Sequence, residues 1–79
     1  MFVEYELVIK SAQEVITLYT KSKDYALLKQ INFFWKLLDL AEEEYTYIPL
    51  PNEDISGKIE KIRTWKLKLS DIFMRNVLL

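Results

Sequence analysis

The 79 residues carry 11 Lys+Arg against 12 Asp+Glu, 51% apolar side chains, 14% aromatics, and neither cysteine nor histidine. That inventory excludes disulfides and thiolate zinc sites, and it removes the commonest metal ligand and general base. A net charge of −1 leaves no global field to attract nucleic acid or an anionic membrane.

One domain is expected over residues 1–79. A chain this short hides only about 60% of the surface its unfolded form exposes, and without disulfide or metal staples self-association is the remaining way to add buried area. No apolar run approaches the roughly 18 residues of a membrane span. Met1 to Glu6 carries acids where a signal peptide would carry lysines. A soluble, cytoplasmic protein with no membrane partner is the expectation.

Gly57, Pro49 and Pro51 are the only strong punctuators and they cluster, so long helical segments are expected rather than many short strands. In the first segment Val8, Ile9, Ala12, Val15, Ile16 and Tyr19 follow the i, i+3, i+4, i+7 pattern of an amphipathic helix, placed at about 3–20. Phe2 to Leu7 partly alternates, which makes a short strand the rival there. Lys21-Ser22-Lys23-Asp24 breaks the pattern, and Ser22 or Asp24 can cap a second helix over 24–44. Its face is Leu27, Leu28, Ile31, Phe34, Trp35, Leu38 and Ala41. Glu42, Glu43 and Glu44 have the wrong sign for its C-terminal pole, so fraying is expected unless a cation sits close.

The third helix, 54–77, has Asn52, Asp54 or Ser56 as candidate caps and Ile55, Ile59, Ile62, Trp65, Leu69, Ile72, Phe73 and Val77 inward. Lys66 interrupts that face, its stem lying along the core while its ammonium reaches water. A short first link makes helices one and two antiparallel neighbours; the longer second link crosses an end. The fold class is all-α, a small three-helix bundle with an extended Pro-containing connection between helices two and three.

Three helices in under 80 residues, with Lys23-Asp24-Tyr25 opening the second and Lys61-Ile62-Arg63-Thr64-Trp65 inside the third, resemble MIT domains. The resemblance implies an adaptor bundle that holds a short helical peptide in a groove. The small alanines such hairpins place where helices one and two cross are replaced here by Ile16, Leu28 and Trp35.

The helical wheels hold more apolar residues than one small bundle needs. At about 100° per residue, Phe33, Leu37 and Leu40 form a second shoulder on helix two. Leu67, Met74 and Leu78 line the outside of helix three, and Leu7 and Leu18 that of helix one. Sets aligned with a helix axis mark interaction surfaces, so Phe33, Leu37, Leu40, Leu67, Met74 and Leu78 are the expected protein interface, most simply a homodimer seam.

Lys61, Lys68 and Arg75 repeat every seven residues, with Lys58 and Arg63 nearby, a line that could follow phosphates or be a solvated face that pairs with the Glu42–Glu44 cluster or with Glu60 and Asp71. In the connection, Pro49 and Pro51 hold Ile48 and Leu50 extended. The segment reads first as a lid over the bundle's end, closed at the side by Tyr45 or Tyr47, and second as a docking strip offering Tyr45, Tyr47, Ile48 and Leu50. Neither calcium-loop nor di-iron spacing is present, the serines have no histidine partner, and one glycine cannot build a phosphate loop. The expectation is therefore no catalytic residues, no metal and no cofactor. The function expected is a small non-enzymatic interaction or regulatory protein, with a nucleic-acid-binding bundle and an MIT-like adaptor as alternatives.

Overall fold

The computed structural model describes residues 3–48 and 52–77. They form three α-helices, α1 (Tyr5–Ser22), α2 (Ala26–Thr46) and α3 (Glu53–Val77), with no strand among the described residues. The all-α three-helix bundle expected from the periodicity is what the chain adopts.

The boundaries differ from the expected ones for local reasons. Glu4 has φ −80° and ψ 84°, outside the helical region, so α1 begins at Tyr5 although the Glu4 carbonyl accepts from the N–H groups of Leu7 and Val8. At the other end α1 continues to Ser22 and stops at Lys23, whose left-handed φ of 55° turns its N–H onto the Tyr19 carbonyl at 2.8 Å. Asp24 is the cap that starts α2, its carboxylate accepting from the Ala26 N–H at 2.9 Å.

The Asn52 side chain starts α3, accepting from the Ile55 N–H at 2.9 Å. Glu53 and Asp54 follow in the first turn, where the helix dipole favours acids. Asn52→Ala is expected to lower stability by about 1 kcal/mol, the usual value of an N-cap, measured as a reduced urea midpoint at unchanged slope.

α2 is the central helix: it packs along both neighbours, whereas α1 and α3 touch little. The three run alternately up and down, so α1 and α3 are parallel. They meet near their C-termini, where the Tyr19 hydroxyl donates to Asn76 Oδ1 at 2.9 Å. Ile31, Leu38, Ile62 and Leu69 are fully buried at the centre of the core. Ala12 and Ala41 are buried too, and such small side chains let helix backbones approach closely. Trp35, Phe34, Trp65, Ile72 and Phe73 are half-buried and pack around this centre.

The bundle is a rod of 44 × 21 × 18 Å. A rod this thin has a core one side chain deep, and its helices keep long outer faces. No helix is long and apolar enough to cross a membrane, among the described residues.

Candidate functional site: the outer apolar faces

Two polar contacts fix how α2 is rotated and therefore what it shows to the outside. On one flank, Glu44 accepts from the Val3 N–H at 3.0 Å, just before α1. On the other, Asp39 and Glu42 meet the α3 side chains Lys66 and Arg63. Phe33, Leu37, Leu40 and Glu44 succeed one another at steps of four, three and four residues and so form one stripe. Since Glu44 lies beside the start of α1, this stripe runs along the α1 flank and crest of α2.

Phe33 and Leu40 are 56% and 50% exposed. Leu37, expected outside with them, is half-buried, because its phase lies nearer α1. The winding of two antiparallel right-handed helices turns Leu7 and Leu18 of α1 toward the same outer side, and both are exposed. On α3, Leu67 is 74% exposed and Met74 is exposed as well. Leu78 lies outside the described residues. Val77, expected inward, is exposed: it lies at the edge of the apolar arc of α3, beside a shallow pocket it shares with Tyr25, Leu28 and Phe73.

The clamp between α2 and α3 was legible in part: pairing of helix-three cations with the Glu42–Glu44 cluster was expected, but not Lys66 at its centre. Lys66 Nζ donates to Asp39 Oδ1 and Glu42 Oε1, both at 2.7 Å, and lies 4.9 Å from the Trp35 ring centroid. Arg63 Nε donates to the other Glu42 oxygen at 2.6 Å. The ammonium of Lys66 therefore ends on two carboxylates instead of reaching water as expected. The signal available was Lys66 itself, a cation on an apolar face, opposite an acidic helix end.

The bonds from Arg63 and then Lys66 hold the Glu42 carboxyl below its usual pKa, against an opposing effect of burial. Burial pulls the Lys66 ammonium down, but its bonds to Asp39 and Glu42 outweigh this and hold it above the ordinary value. The same cations, with the Glu44 bond to Val3, let α2 run on to Thr46 in place of the expected fraying.

Beside the clamp a shallow cleft follows the α2–α3 seam. Trp35, Glu42, Arg63, Lys66, Leu67 and Ser70 line its middle. Asn32, Leu69, Phe73 and Met74 continue it beyond Trp35 and Ser70. Trp35, assigned to the core by periodicity, thus also forms part of a surface groove.

The basic line divides. Arg75 pairs with Asp71 at 3.0 Å, Lys68 lies 4.4 Å over the Trp65 ring, and Lys61 is exposed. Of the expected docking strip, Tyr45 belongs to the last turn of α2 and packs edge-on against Tyr5, with ring centroids 5.8 Å apart, and Lys58 Nζ sits 5.7 Å from its centroid. It is thus Tyr45 that closes the side of the bundle. Tyr47 is 76% exposed and Ile48 half-buried; Leu50, Pro49 and Pro51 lie outside the described residues. Burial, followed by the bond its hydroxyl donates to Glu6, raises the Tyr5 phenol above its ordinary value.

Comparison with protein-family models, with curated proteins and with solved structures returns no match for this chain.

Proposed function

We propose that this protein is a non-enzymatic protein–protein interaction module that works as a homodimer, joined through the outer face of α1 and α2. The observation that carries the reading is the exposure of Leu7, Leu18, Phe33 and Leu40 on one side of a bundle whose core is already filled by other residues. Covering such a face removes apolar surface from water at about 25 cal/mol per Å², and contiguous exposed patches of this kind mark association surfaces.

Phe33→Lys with Leu40→Glu tests it. Both side chains stand outside the core, so the variant is expected to keep its helical circular dichroism and to sediment as a monomer at micromolar concentrations where the wild type sediments as a dimer. A wild type that is monomeric throughout that range would end the homodimer reading. Loss of helix in the variant would instead make these side chains core.

A second reading is favoured by two adjoining clefts that share Trp35 and Ser70 and are lined by Leu67, Phe73 and Met74: a groove for an amphipathic helix of another protein, as in the adaptor alternative. The nucleic-acid alternative has less in its favour, because Arg75 is already paired with Asp71. Retention on DNA or RNA with a steep salt dependence would revive it.

A further inference from the structure

The exposed surface of α2 carries two lines of seven-residue spacing side by side. One is apolar: Phe33, Leu40 and Tyr47, each at least half exposed. The other is charged and changes sign along the helix: Lys29 and Lys36, then Glu43, all exposed. Glu44, half-buried, adds a second carboxylate at the same end.

We infer that the homodimer seam is α2 laid antiparallel on α2 of a second copy, with the two-fold axis at Leu40. The inference rests on the homodimer reading and specifies its geometry. In a two-fold interface any contact between residues i and j occurs twice. A parallel arrangement would stack Lys29 and Lys36 on themselves and Glu43 on itself, three like-charge pairs along one seam. Turning one copy round brings Lys36 of each α2 beside the acidic end of the other and opposes the two helix dipoles.

With the axis at Leu40, symmetry sets positions whose numbers sum to about 80 opposite each other. Leu40 then meets the partner's Leu40, Phe33 meets the partner's Tyr47, and Lys36 lies beside the partner's Glu43. The register thus covers the exposed Phe33 and Leu40 of α2 and its C-cap Tyr47, and makes two ion pairs. Leu7 and Leu18 border the same face and extend it on the α1 side.

Charge exchange tests the orientation. Lys36→Glu and Glu43→Lys are each expected to weaken dimerisation by at least about tenfold, since each replaces both symmetric ion pairs by like-charge contacts. The double variant K36E/E43K restores the pairing in an antiparallel seam and is expected to dimerise with itself but to exclude the wild type from mixed dimers. In a parallel seam the double variant would prefer the wild type, which overturns the proposal.

The axis is tested with Leu40→Cys, because the chain has no other cysteine. Under mild oxidation it is expected to give a disulfide-linked dimer in high yield at dilutions where Leu67→Cys stays monomeric. Equal cross-linking of the two overturns the axis. A monomeric wild type removes the homodimer reading together with this geometry. A dimeric wild type whose charge exchange and cross-linking both fail removes the geometry alone.

Discussion

Leu38→Ala is expected to cost about 3 kcal/mol and to lower the melting temperature by roughly 15 °C at fixed protein concentration. Leu38 is fully buried in the middle of α2, the helix that holds both others. Removing its branched end takes apolar surface out of the core and leaves a cavity that a backbone gripped on two sides cannot close. A chain of 79 residues is stable by only about 4–12 kcal/mol in total, so the variant spends a large share of that margin and is expected to be partly unfolded at 37 °C.

The contrast that makes this informative is Leu67→Ala. The same chemical change at a side chain 74% exposed is expected to shift stability by less than about 0.5 kcal/mol. Urea titration of both variants beside the wild type checks the pair. A large loss at Leu67 would mean that it is buried in the molecule that is actually melting, as it would be if it lay in an interface. The comparison therefore reads out both the core and the outside of α3.

Period-3.6 patterning was enough to read three helices and the identity of the core, because Ile31, Leu38, Ile62 and Leu69 each sit at the centre of a broad apolar arc, where a phase error of one step changes nothing. The edges of those arcs were less legible. Leu37 and Phe33 differ by only about 40° on the wheel, yet one is half-buried and the other exposed. That difference depends on where α1 lies, which no pattern within α2 specifies. Val77 likewise lies at the edge of the α3 arc. The α2–α3 cleft and its clamp depended on which residues of two segments come level, and pairing across 27 residues, as between Asp39 and Lys66, has no local signature. Helix ends moved by one or two residues because the caps compete: Asn52, Asp54 and Ser56 were all candidates to start α3, and Asn52 was the one whose side chain accepts from a free N–H of the first turn.

Removing the Glu42 charge is the second large effect expected, and its dependence on pH identifies the cause. Glu42 is mostly buried, at 18% side-chain exposure, and receives both Arg63 and Lys66. Bonds to a carboxylate from charged donors contribute about 1.5–3 kcal/mol each when well shielded. Arg63 is 62% exposed and so adds little, which puts the loss in Glu42→Gln at about 2 kcal/mol at pH 7.

The sign follows from linkage. The folded-state pKa of Glu42 lies below the ordinary 4.5, so the unfolded chain binds the proton more readily. The stabilisation is complete above the unfolded value and disappears as pH falls through the lower folded one. At the other extreme the raised pKa of Lys66 contributes stability that is complete below its unfolded value near 10.5 and is lost as pH rises through the folded one. The gap between wild type and Glu42→Gln is therefore expected to be constant from about pH 6 to 9 and to narrow below about pH 4.5, where wild-type Glu42 itself takes up a proton. Urea midpoints of the two proteins from pH 3 to 9 measure this directly. A gap that persists unchanged at pH 3 would show that the Glu42 carboxylate is not what holds α2 to α3, and that the packing of Trp35, Leu38 and Leu69 does so without it.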